Sequence, residues 1–96
     1  MASFLANAET IKSKLLTKHG VSIREVEQCF ENQTGKALVD NREEHQTDPP
    51  SLWFIAQTNN RRTLKVVYIL VNGKIIIKTC YEPNDIEKFI YQKYGE

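Results

Sequence analysis

No apolar run in this sequence approaches the roughly 20 residues that would span a bilayer. Its opening, "MASFLANAET", lacks the basic segment and the long apolar core of a secretory signal. A chain with neither is expected in the cytoplasm, away from membranes. Cysteine is scarce as well. Cys29 and Cys80 stand alone, with no paired spacing for zinc and too few partners for a disulfide framework, so reduced, partly buried thiols are expected. Hard-cation loops need oxygen ligands at alternate positions and a glycine turn. Zinc helices need His at i and i+4. The cluster Glu43, Glu44, His45 and Asp48 satisfies neither pattern, and no metal or small-molecule cofactor is expected. Repeats, linkers and low-complexity segments are missing too. The 96 residues therefore read as a single domain, 1–96, too short for a catalytic domain plus a second module and limiting any enzyme to a shallow site.

What is there suits a globular protein. Charged residues make up 26% of the chain and hydrophobic residues 41%, which argues against disorder. The net charge of +1 hides an imbalance. Residues 1–50 carry six Lys or Arg against eight Asp or Glu, and residues 51–96 carry seven against four. Such a distribution permits a basic face in the second half.

Ala8, Ile11 and Leu15 recur at helical spacing, and "KHG" sets two cationic residues before Gly20, a helix stop. A first helix is expected over roughly residues 7 to 18. "SIRE" has the capping-box form, with Ser22 capping and Glu25 reaching back, so a second helix should run to about Glu31. From Lys36 the period becomes extended. "KALVD", "SLWFIAQT", "TLKVVYILV" and "KIIIKTCY" read as four strands rich in β-branched and aromatic residues. Pro83 ends the last one. Asn84 and Glu87 form a second capping box, and Ile86, Phe89, Ile90 and Tyr94 give a third helix an apolar side, with Tyr91 and Tyr94 docking it. The order is ααββββα, an α+β fold of two helices on a four-stranded, mainly antiparallel sheet with a C-terminal helix.

Asn72-Gly73 is a strong hairpin signal, because both positions of the turn need positive φ. Counting back from it pairs Leu70 with Ile75, Tyr68 with Ile77, Val66 with Thr79 and Leu64 with Tyr81, all on one apolar face. On that register Tyr81 faces the core unless a bulge after Cys80 turns it outward. The opposite face would carry Val67 with Lys78 and Lys65 with Cys80, a half-apolar surface with two cations near one end. Those lysines protect a sheet from aggregation in one reading. In the other they join Arg61 and Arg62 in a basic strip beside aromatic residues, which suits single-stranded nucleic acid.

"KHGVSIREVEQCFEN", an acidic polar loop, and then "RRTLKVVYILVNGKIII" resemble the BrnT group of bacterial toxins in the RelE/ParE superfamily, over roughly residues 11 to 91. "TCYEPND" is similar to the ending of a related group of small bacterial proteins. Where BrnT proteins usually carry Arg after the last strand, this chain has Tyr81. The resemblance implies a RelE-like α/β domain, ribonuclease toxicity exerted through an open sheet face, RNA as substrate and a cognate antitoxin as partner.

Metal-free RNA cleavage needs a base for the ribose 2′-hydroxyl, an acid for the leaving oxygen, and cations on the transition-state phosphate. His45 or Glu44 could be the base, and Tyr81 or a histidine the acid. Lys65, Lys78, Arg62 and Arg42 could supply charge, with Arg61 beside them and Trp53 stacking a base. Each has a structural reading as well. His19 before Gly20 suits a helix C-terminus, His45 suits a solvated loop, and Trp53 suits a core. The stretch "DNREEHQTDPPSLWF" reads as a linker between the first two expected strands, stiffened by Pro49 and Pro50. The alternative to a ribonuclease is a non-catalytic module of the same fold that binds nucleic acid or protein.

Overall fold

The computed structural model describes residues 3–5, 8–40 and 49–96. Within them the chain runs through β1 (Ser3–Leu5), α1 (Ala8–His19), α2 (Ile23–Glu31), β2 (Leu38–Val39), β3 (Leu52–Gln57), β4 (Thr63–Val71), β5 (Lys74–Tyr81) and α3 (Asp85–Tyr94). The strands lie in the order β1-β5-β4-β3-β2. Strands β2 to β5 pair antiparallel, as expected, while β1 adds a parallel strand on the outer edge of β5. Sequence reading does not find β1. Three residues are too few to show an alternation, and pairing with the exposed edge of β5 is what makes them a strand.

Local signals explain where the helices begin and end. Both capping boxes close: Ser22 with Glu25 at the start of α2, and Asn84 with Glu87 at the start of α3. Gly20, at φ 62°, ends α1 in the left-handed region that a residue without a Cβ adopts freely. Asn72 and Gly73, at φ 54° and 77°, make the tight turn between β4 and β5.

Helices α1 and α2 cover one face of the sheet. Phe30 packs edge-on to Phe54 and Tyr68 at ring separations of 4.9 and 5.2 Å, and Leu15, Val21, Val26, Leu64 and Val66 close the same core. Side chains alternate along a strand, so Trp53, next to Phe54, points to the other face. There it meets Tyr91 of α3 at 5.7 Å. The sheet is therefore sandwiched rather than open on one side.

Two further bonds fix the end of α3. The Tyr91 hydroxyl donates to the Lys36 carbonyl at 2.9 Å, and the Lys36 N–H donates to the Gly95 carbonyl at 2.9 Å. A Cβ on Gly35 would stand 2.6 Å from both the Gly95 oxygen and the Tyr91 hydroxyl, so only glycine lets the loop approach this closely. Tyr91 docks the helix as expected, but Tyr94 does not. Ile86, Phe89 and Tyr94 are 71, 64 and 57% exposed. The helix turns Glu87 and Tyr91 inward because Lys65 and Trp53 on the sheet engage those two residues.

The hairpin register holds from the turn as far as Tyr68 opposite Ile77, then shifts by one residue. Lys78 is the extra residue of a β-bulge, so Val66 pairs with Cys80 and Lys65 with Tyr81. The expected pairs Val66–Thr79 and Leu64–Tyr81 are thereby corrected. A one-residue slip moves every following side chain to the opposite face, which buries Cys80 and brings Tyr81 onto the face of Lys65. The bulge that turns Tyr81 lies before Cys80, not after it.

Candidate functional site

The bulge and the α3 capping box together assemble a polar cluster. Lys65 enters from β4 and is 4% exposed, although half-apolar open surface was expected at its position. Its ammonium donates to Oε2 of Glu87 at 2.6 Å, and the Tyr81 hydroxyl donates to the same oxygen at 2.7 Å. The ammonium also lies 4.5 Å from the centre of the Trp53 ring and 5.6 Å from that of Tyr81. Glu87 spends its other oxygen on the helix start, where Oε1 accepts the Asn84 N–H at 3.0 Å. One carboxylate thus joins a cation, a phenol and a helix cap.

Lys65 and Glu87 of this cluster line a groove of about 710 Å³ that runs between α3 and the outer strand β2, and Tyr81 joins them through its bond to Glu87. Trp53, Lys65 and Glu87 line its base, Ile86, Ile90 and Tyr94 one wall, and Leu38, Val39 and Asp40 the other. The combination of an apolar wall and a few converging polar groups is the usual make-up of a binding site.

Burial raises the pKa of Glu87, but hydrogen bonds from Lys65, the Asn84 backbone and Tyr81, with the charge of Lys65, outweigh it and hold the carboxyl below its ordinary value of 4.5. Glu25 is lowered from the same value. Burial opposes the shift there too, and the Ser22 backbone bond, the Arg62 hydrogen bond and the Arg62 charge overcome it. Folded-state values below the unfolded ones mean that both carboxylates stabilise the protein above that value, and that this contribution is lost as the pH falls through the folded values. Thermal unfolding followed from about pH 7 to about pH 3 should show a falling midpoint at the acid end, and Glu87→Gln should flatten that limb. An unchanged acid limb in the variant would refute the assignment to Glu87.

Arg42, Glu44 and His45 lie outside the described residues, as do Glu43 and Asp48. Arg62 is a structural clasp: it donates to the Gly20 carbonyl at 2.8 Å and the His19 carbonyl at 3.2 Å, and pairs with Glu25 at 3.1 Å and Glu82 at 3.4 Å. It ties the α1–α2 turn to the sheet instead of facing a ligand. Arg61 is exposed at φ 65° in the β3–β4 turn. Lys78, exposed at the bulge, donates to the Ser51 hydroxyl at 3.0 Å, so it is not a second floor cation beside Lys65. Trp53 is only 8% exposed, packed against Tyr91 with the Lys65 ammonium over its ring, so it is not the exposed stacking platform that was expected.

His19 stands near the cluster: its ring centre is 5.6 Å from that of Tyr81. Glu87 is the residue that sequence reading misses in this role. It is legible as a cap, three positions after Asn84, but nothing linear connects it to Lys65 and Tyr81, which reach it only through the bulge. The two thiols are buried and free. Desolvation pushes Cys29 up to about 12, with the charge of Glu25 adding to it, and Cys80 moves the same way. Neither is therefore a thiolate nucleophile at neutral pH.

Among the described residues, no group of three or more His, Cys, Asp or Glu is placed to hold a metal ion, and no helix is long and apolar enough to cross a membrane. Compared with known proteins, the chain matches no family model, no curated protein and no solved structure.

Proposed function

We propose that this chain is the toxin of a bacterial toxin–antitoxin pair, with a RelE-like fold of the BrnT kind, and that it cleaves RNA without metal at the Lys65–Tyr81–Glu87 cluster. One observation carries the reading: a carboxylate, a phenol and an ammonium meet within 2.7 Å, and the carboxylate and the ammonium line a groove. Those are the base, acid and cation that phosphodiester cleavage requires. With a ribose-phosphate in the groove, Glu87 takes the proton of the 2′-hydroxyl, whose oxygen attacks the adjacent phosphorus. The bond from phosphorus to the 5′-oxygen breaks, Tyr81 protonates that oxygen, and Lys65 balances the negative charge on the phosphorane. The products are a 2′,3′-cyclic phosphate and a 5′-hydroxyl end. Glu87 then returns its proton to the Tyr81 phenolate along their hydrogen bond, restoring the cluster. The depressed pKa of Glu87 keeps it ionised at neutral pH, as a weaker base than an unshifted carboxylate. The partner is an antitoxin whose binding closes the groove.

Induced expression in bacteria should arrest growth with loss of cellular RNA. Tyr81→Phe and Glu87→Gln, each confirmed as folded by denaturant unfolding, should slow cleavage by about 10²–10⁴-fold. Harmless expression of the natural chain with intact RNA would sink the proposal. A second reading rests on the mutual neutralisation of Lys65 and Glu87 and on the apolar groove wall. In it the cluster is a structural tie and the groove holds a partner without cutting. RNA left intact while the variants lose only stability is the result that favours this reading.

A further inference from the structure

Among the described residues, α3 carries four of the seven large hydrophobic side chains exposed to solvent, Ile86, Phe89, Ile90 and Tyr94. Their spacing of i, i+3, i+4 and i+8 makes one continuous stripe along the helix. Water contact for such a stripe is unfavourable, and the other described residues leave it exposed. Charge decides what fits it. The first turn of α3 is acidic and the last turn basic. Glu87 is turned inward to Lys65, which leaves Asp85 at one end and Lys93 at the other. Lys88 lies off the stripe, on the side of Gln92. A surface that is apolar in the middle, negative at one end and positive at the other is complementary to itself when turned through a half-rotation.

We infer that α3 is the interface of a homodimer, two copies packing helix against helix in antiparallel sense about a two-fold axis near Phe89 and Ile90. Phe89 then meets Ile90 of the partner subunit, and Asp85 approaches the partner's Lys93 at both ends of the contact. A parallel arrangement would set like charges together. The antiparallel one also opposes the two helix dipoles. Phe89 and Lys93 do not line the groove, whereas Ile86, Ile90 and Tyr94 do, so the second helix stands along the rim of the groove. The inference does not depend on the proposed reaction.

Sedimentation velocity of the full chain over about a hundredfold range of concentration should show an 11.1 kDa monomer passing into a species of twice that mass. Phe89→Asp should hold the monomer at all concentrations, with the unfolding midpoint that the natural chain shows at monomeric dilution. Asp85→Lys alone and Lys93→Asp alone should each weaken association about tenfold or more, and the two combined should restore it, because the charge pair is then rebuilt with reversed signs. A chain that stays monomeric throughout overturns the inference and leaves the stripe to a different protein. So does a dimer that ignores Phe89→Asp, or single charge reversals that the combination fails to rescue.

Discussion

Replacing Glu87 by alanine should cost the protein about 3 kcal/mol of folding stability, the lower end of the range for removing one member of a buried ion pair. Three losses coincide there. Lys65, 4% exposed, loses the carboxylate at 2.6 Å and keeps its charge in a poorly solvated place. Tyr81 loses its acceptor, and the start of α3 loses half of its capping box. The groove above Lys65 lets some water in, which is why the lower end of the range applies. Lys65→Met should cost less, about 1–2 kcal/mol, because Glu87 keeps its bonds to Tyr81 and Asn84 and reaches solvent through the groove. The double variant Lys65→Met, Glu87→Leu should recover much of the loss, since an apolar pair of similar size avoids the desolvation of both charges. Urea unfolding of the natural chain, Lys65→Met, Glu87→Leu and the double variant closes the cycle. A loss below about 1 kcal/mol for Glu87→Ala would show that Lys65 finds another partner or reaches bulk water.

Phe54→Ala should be at least as damaging, by about 4 kcal/mol, since a fully buried aromatic ring is deleted from a packed core. Phe54 has no exposed surface. It sits against Phe30 at 4.9 Å and Tyr68 at 6.1 Å, both edge-on, and links α2 to the central strands. Phe54→Leu, which keeps most of the volume, should cost about 1.5 kcal/mol. Phe89→Ala provides the contrast: 64% exposed, it should change the stability of a single copy by no more than about 0.5 kcal/mol. Equal losses at positions 54 and 89 would contradict the placement of α3 with its apolar stripe outward.

Much of the architecture is legible in the chain itself because its determinants are local. Capping boxes need residues three positions apart, the hairpin needs Asn72 and Gly73 next to each other, and strands need a run of β-branched and aromatic side chains. These signals place α1, α2, α3 and the four antiparallel strands to within a residue or two. Trp53 and Phe54 are neighbours in sequence, yet their assignment to opposite faces follows at once from the alternation of a strand.

Everything that makes the candidate site depends on contacts between distant residues. A single extra residue at Lys78 decides whether Tyr81 faces the core or Lys65, and a bulge leaves no local signature in "KIIIKTCY". The apolar residues of α3 suggest that Ile86, Phe89 and Tyr94 turn inward. Instead, the stronger pairing of Lys65 with Glu87, and of Trp53 with Tyr91, rotates the helix and leaves that stripe outside. Arg62 looks like a ligand cation beside Arg61, but the carbonyls of the α1–α2 turn and the carboxylate of Glu25 claim it. Local order follows from steric and hydrogen-bonding rules acting over three or four residues. The site follows from register and helix rotation, which only competition among long-range contacts in the folded chain can settle.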